Sequence, residues 1–409
     1  MPDDYFDSKL NSLKKIITPD KKASCKRSQL PSRYGRLAET LGGELITRSE
    51  GTYCLVRTVY ESGTRLGRFI FEKPDYSSRL PLSAFNVEEA EGEAFREELL
   101  FFDIETTGLG GSGAVAFLIG CGSVVPGGFE VRQYLLPDFS DEAAMLESVL
   151  EELSHDKTVV SYNGVAFDMS MIRDRMIVNR VAREIKISGH IDLLHSVRRL
   201  FKRRLGDCSL GNVEQELFGF YRDDDIPGYL IPSVYFDWLG SEQLDDMTAV
   251  MEHNRRDIFS LYFLVDFIYR VFESEGASLD EVDDIYSLSR IYGRRKRHDK
   301  VLSLYSEMEK SASAELEDDI LWFNSLAMKR SGQWSEAAQL WQRLAATVGR
   351  EGYLANLELA KFFEHRQKDI EKALDHTRRA AGLCPDSPPQ KNQLEKRYKR
   401  LSGKLKLIV

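Results

Sequence analysis

The sequence predicts an α/β chain: a mixed sheet with helices on both faces, preceded by a small N-terminal β subdomain and followed by an all-α solenoid of repeats. Three observations predict it. Between residues 99 and 181 three apolar strand-like runs come first, and helix and strand then alternate, the order of a mixed α/β layer. Between residues 41 and 71 apolar and polar side chains alternate around a turn signal. Beyond residue 274 helical segments recur with a period of about 35 residues, which marks a repeat array.

A chain of 409 residues exceeds one small core. Residues 1–35 read as an amphipathic helix at 10–17 and a Lys-, Ser- and Pro-rich flexible linker. Residues 36–96 hold the small β subdomain, with an alternating strand at 53–59, a turn at Glu61-Ser-Gly-Thr64 and a glutamate-rich acidic connector from residue 87. Residues 97–272 form the main layer: strands at 99–104, 114–121 and 129–136, a helix at 142–153, a strand at 158–162, a helix at 168–181 and a long closing helix at 244–272. Within residues 277–409, Leu304-Tyr305, Leu340-Trp341 and Ala373-Leu374 hold matching places, as do Glu336-Ala-Ala-Gln-Leu340 and Glu371-Lys-Ala-Leu374.

An apolar share of 42% and a charged share of 30% fit an ordinary globular protein. A formal net charge of -9 excludes a global basic field, so any polyanion must be met by a local patch. Five scattered cysteines without a C-x-x-C pair suggest neither a disulfide framework nor a zinc site. The start Met-Pro-Asp-Asp lacks the features of a signal peptide, and the longest apolar stretch, 114–125, is too short to span a bilayer. The expected setting is the cytoplasm, with no membrane association.

Three short acidic stretches carry the chemistry. Asp103-Ile-Glu105 ends an apolar strand, and because side chains alternate there, both carboxylates point to one side. Ser161-Tyr-Asn-Gly-Val-Ala-Phe-Asp168 ends a strand and brings Asp168 to the start of a helix, a position that also suits an N-cap. In His253-Asn-Arg-Arg-Asp257 the histidine and aspartate lie one helical turn apart on one face. Four carboxylates and a histidine, spaced about 60 and then about 90 residues apart, supply enough ligand for a pair of hard divalent cations. Phosphodiester cleavage is the expected chemistry.

In that order, the strand Asp-x-Glu, the Asn-Gly-x-x-Phe-Asp loop and the helical His-x-x-x-Asp resemble the DEDD superfamily of 3'-5' exonucleases on the ribonuclease-H-like fold. The resemblance implies that Asp103, Glu105, Asp168 and Asp257 bind two Mg2+ or Mn2+ ions, and that His253 is the general base. His253 stands four residues before Asp257, the spacing at which the superfamily's other branch carries tyrosine, so orienting the attacking water is an alternative role. His190-Ile-Asp-Leu-Leu-His195, Cys208-Ser-Leu-Gly-Asn-Val-Glu214, Ile226-Pro-Gly-Tyr-Leu-Ile-Pro232 and His253-Asn254 resemble the YprB-type ribonuclease-H-like domain, a bacterial family often followed by helical repeats. The C-terminal period is similar to that of tetratricopeptide (TPR) repeats, which implies a concave face for a protein partner. The implied function is 3'-5' exonuclease action on single-stranded DNA or RNA ends. The alternatives are a non-catalytic nucleic-acid-binding or scaffold protein, or a structure-selective endonuclease.

Asn163, Tyr162, Phe167, His190, Asp192 and Asn254 are candidate substrate contacts, the aromatic ones and Tyr229 by stacking on bases. Gly108-Leu-Gly-Gly-Ser-Gly113 matches a dinucleotide-binding loop, but a strand and not a helix follows it, so it reads as a turn. Basic residues concentrate between 173 and 204, either as a phosphate-tracking surface or as a solvated helix face. The run Asp223-Asp-Asp225 reads as a solvated turn.

Overall fold

The structure is a computed structural model and describes residues 32–72, 79–85, 92–108, 113–153, 157–311 and 316–406. The helix expected at 10–17 lies outside them, as do Cys25, part of the acidic connector and the centre of the glycine-rich loop.

Helix α1 (Ser32–Leu41) leads into a hairpin of β1 (Glu44–Arg48) and β2 (Gly51–Tyr60), followed by the short strand pairs β3 (Arg65–Leu66) with β4 (Phe69–Ile70) and β5 (Arg79–Pro81) with β6 (Glu93–Phe95). Then come β7 (Leu99–Thr106), β8 (Ala116–Val125), β9 (Gly128–Leu135), α2 (Glu142–Glu152), β10 (Lys157–Ser161), α3 (Asp168–Val178), β11 (Ile187–Asp192) and α4 (Leu193–Leu205). A single turn, α5 (Leu210–Val213), runs into a π-helical turn, and α6 (Ile231–Ser241) and the long α7 (Met247–Glu273) close this part.

The main sheet has seven strands in the order β1-β2-β9-β8-β7-β10-β11. β7, β10 and β11 run parallel to one another, and the remaining neighbours are antiparallel. The expected N-terminal β subdomain differs in one respect: β1 and β2 belong to the main sheet, while β3–β4 and β5–β6 form two small sheets of their own. β2 pairs with β9 from Cys54↔Leu135 to Tyr60↔Phe129, so the hairpin extends the main sheet. The pairing satisfies the backbone groups that β9, buried along most of its length, would otherwise leave open at an edge.

Alternation along β7 divides the core. Leu99 and Phe101 join a cluster that includes α4 and most of α7, whereas Leu100, Phe102 and Ile104 join one that includes α1, α2, α3 and α6. Helices therefore cover both faces of the sheet, and β7 lies between β8 and β10.

Seven helices follow: α8 (Val282–Arg294), α9 (His298–Ser311), α10 (Asp318–Arg330), α11 (Trp334–Leu344), α12 (Arg350–Phe362), α13 (Ile370–Gly382) and α14 (Pro388–Lys406). Short connections join them in pairs whose second members begin at His298, Trp334 and Ile370, an even step along the chain. The array shares its core with the sheet, since one buried cluster runs from Phe101 through Phe201 and Leu264 to Leu288, Trp341 and Leu401. Among the described residues no helix is long and apolar enough to cross a membrane.

Candidate active site

Asp103 and Glu105 continue the face of β7 that begins with Leu99 and Phe101, so an apolar stripe turns acidic toward the strand's carboxyl end. Helix α7 lies over that stripe. Asp103 is paired with Gly120 on β8, where a Cβ would meet Ile258 Cδ1 at 2.1 Å and Asn254 Oδ1 at 2.5 Å. Only a residue without a side chain lets the helix come this close, and the approach brings His253, Asn254 and Asp257 to the acidic end of β7.

Asn254 is fully buried. Its Nδ2 donates to Asp103 Oδ2 at 2.9 Å, and its Oδ1 accepts from Gln133 Nε2 at 2.9 Å, which also donates to the Met251 carbonyl at 2.8 Å. This fixes the amide and the carboxylate it serves. The amide expected to contact substrate is thus occupied within the protein.

His253 Nδ1 lies 2.8 Å from Asp225 Oδ2, while Nε2 lies 3.9 Å from Glu105 Oε1 and 3.7 Å from Asp257 Oδ2. Burial alone would lower the His253 pKa, but the hydrogen bond to Asp225 and the charges of Asp257 and Glu105 raise it overall. Asp257 accepts from Arg222 Nη2 at 2.5 Å. The same guanidinium holds Asp225 at 3.0 Å and grips the fully buried Glu214 with two bonds of 2.6 Å.

Asp168 opens α3 and is 5% exposed. Phe167 holds the N-cap position, so Asp168 is the first helical residue and not the cap. The preceding turn is shaped for it. Asn163 sits at φ 65°, and at Gly164 a Cβ would be 2.4 Å from Ser161 Oγ and 2.5 Å from Asp168 Oδ2.

Electrostatics single this cluster out. Burial, then repulsion from Asp257, Glu105 and Asp168, pushes the Asp103 pKa well above the carboxylate range. Burial drives Glu105 up to about 8 against the pull of His253, and Asp168 up to about 7 against its backbone bonds. Among the described residues no Lys or Arg pairs with Asp103, Glu105 or Asp168, whereas the buried acids Glu142, Glu214, Asp284, Glu358 and Glu364 each face one. Three recessed carboxylates lacking a fixed cation, with Asp257 beside them, make an oxygen-only donor set of the kind that hard divalent cations take. Among the described residues, no three acidic, histidine or cysteine side chains already converge as a ready ion site. Asp257 is held by Arg222 and Asp103 by Asn254.

The other expected contacts lie around this centre. The Asp192 carboxylate accepts from the N–H groups of Asn163 at 2.8 Å, Val165 at 3.3 Å and Leu194 at 3.1 Å, so it fastens the loop before Asp168 and caps α4. His190 Nε2 lies 2.7 Å from Ser161 Oγ, and burial lowers its pKa. His190 and Asp192 thus support the loop from beneath. Tyr162 is half-buried with its hydroxyl donating to the Cys208 carbonyl at 2.5 Å, and Phe167 packs at the margin of the core. Tyr229 is 82% exposed.

Sequence reasoning missed Asp225, Arg222 and Glu214. Asp223 and Asp224 are exposed as a solvated turn requires, but Asp225 turns inward to His253. A signal existed for Glu214: at helical spacing it falls on the apolar side formed by Leu210, Val213, Leu217 and Phe218, where a carboxylate needs a cation.

Residues 100–269 match the family model of the RNase_H superfamily. The chain is also similar to the protein YprB of Bacillus subtilis (strain 168), with 34% identity over 340 residues that cover 80% of this chain and 79% of that protein.

Proposed function

We propose a function from one premise: the chain belongs to the YprB family, and its central part is an RNase_H superfamily domain. It is a metal-dependent nuclease that hydrolyses phosphodiester bonds at the 3' ends of single-stranded DNA or RNA. The observation that carries this reading is the recessed group of Asp103, Glu105, Asp168 and Asp257, unmatched by fixed cations at the first three, with His253 Nε2 directed at it.

In this reading the four carboxylates hold two Mg2+ or Mn2+ ions. Bound there, the ions stabilise negative charge on the attacking and leaving oxygens of an in-line displacement. His253 accepts the proton of the attacking water at Nε2, because Asp225 holds Nδ1 and the imidazolium that forms. The water oxygen bonds to phosphorus as the bond from phosphorus to the 3' oxygen of the preceding nucleotide breaks. Arg222 is a positioning residue, since it reaches both Asp257 and the Asp225 that holds the base.

The Arg222–Asp257 pair also favours a second reading, a nucleic-acid-binding protein that does not cut. Calorimetric titration with Mn2+ separates the two. The nuclease reading expects saturable binding by the wild type and its loss in Asp103→Asn; absence of binding, or equal binding by both proteins, counts against it. The even pairing of the C-terminal helices supports a TPR-like array that takes a protein partner.

A further inference from the structure

Helix α4 carries its basic residues on two sides with different fates. On one side Arg203 reaches Asp283, Glu317 and Asp319 at 2.6–2.7 Å and lies over the Tyr286 ring at 4.9 Å. Arg204 holds the buried Asp284 at 2.8 Å, and Arg199 donates to the Phe85 carbonyl. Arg203 and Arg204 join α4 to the helical array, Arg199 joins it to the segment at Phe85, and all three are engaged within the protein.

On the other side His195, Arg198 and Lys202 follow at helical spacing, all three exposed. Among the described residues Arg198 and Lys202 make no ion pair, although the chain as a whole is acidic with a net charge of -9. Arg198 is near enough to act electrostatically on the Tyr162 hydroxyl and, with Lys202, on the Cys208 thiol. Tyr162 begins the loop that ends at Asp168, and the Asp192 that fastens that loop is the N-cap of α4 itself. His195 therefore lies one turn, and Arg198 and Lys202 about two and three turns, along α4 from the cap that fastens the loop ending at Asp168.

We propose that the His195, Arg198 and Lys202 face of α4, with Tyr162 at its foot, is the surface along which the backbone of a single-stranded nucleic acid reaches the carboxylate centre; this rests on the nuclease reading above. A polyanion cannot bind the acidic centre without compensation nearby, and this face supplies it. The step from Arg198 to Lys202 rises about 6 Å along the helix, a spacing suited to successive phosphates of an extended strand. The other face of α4 is packed against the array, which keeps the cations on a rigid element.

The test is fluorescence anisotropy of a labelled single-stranded DNA or RNA oligomer in EDTA, where no metal-dependent turnover occurs. R198A/K202A is compared with wild type and with K396A/K399A, which removes the same charge from exposed sites on α14. R198A/K202A is expected to bind roughly tenfold more weakly with a salt dependence shallower by one to two, and K396A/K399A to bind as wild type. No binding by wild type, unchanged affinity in R198A/K202A, an equal loss in K396A/K399A, or duplex bound as tightly as single strand would each overturn the proposal. Cleavage of the same oligomer in Mn2+ keeps the two readings apart. If the wild type cuts while R198A/K202A binds and cuts unchanged, the surface falls and the nuclease stands. If R198A/K202A loses binding while the wild type cuts nothing, the surface stands and the nuclease falls.

Discussion

At the scale of single residues, the Asp225 contact decides what His253 can do. With Nδ1 held by a carboxylate, Nε2 is the nitrogen left to face Glu105 and Asp257. His253→Ala is expected to slow cleavage by roughly 10²–10⁴-fold while leaving Mn2+ binding in place; an undiminished rate removes the histidine from the mechanism. Asp225→Asn removes a group that raises the His253 pKa. A general base must be deprotonated, so the acid limb of the pH–rate profile should move to lower pH in that variant. A limb that stays put assigns Asp225 a structural role only. That Asp103 shares a face with Glu105, and His253 with Asp257, was legible because strand and helix periodicities fix which side chains lie together. Asp225 was not, because three adjacent aspartates have the composition of a solvated turn, and which of them points inward is set by the placement of α7.

At the scale of elements, the approach of α7 to β7 and β8 sets the geometry of the centre. Gly120→Ala would force Ile258 and Asn254 aside, with an expected loss of about 1–3 kcal/mol in denaturant unfolding. Gly127→Ala, in a turn with nothing within 4 Å of its Cβ position, should be close to neutral. Equal stabilities would contradict the close packing. The order of strands and helices from β7 to α3 follows the periodicity of the sequence closely. The destination of β1 and β2 does not, since alternation shows which side chains share a face but not which strand offers an open edge. Likewise the basic stretch at α4 reads as one surface in sequence, and only the acids at the starts of α8 and α10 show that half of it is consumed in packing.

At the scale of the whole molecule, one continuous core ties the helical array to the sheet face that also carries Asp103 and Glu105. The acidic average of the chain is divided: among the described residues, carboxylates without a Lys or Arg partner are gathered at the end of β7, and exposed cations outside any ion pair lie on α4. The proposed reading needs that division, and the average composition conceals it. The most direct measurement is the shortening of a single strand labelled at its 5' end, in Mg2+ or Mn2+, by wild type and by Asp103→Asn. Stepwise, metal-dependent loss from the 3' end by wild type and none by the variant is the expected result. No metal-dependent shortening of either DNA or RNA, or an equal rate in Asp103→Asn, would contradict the account.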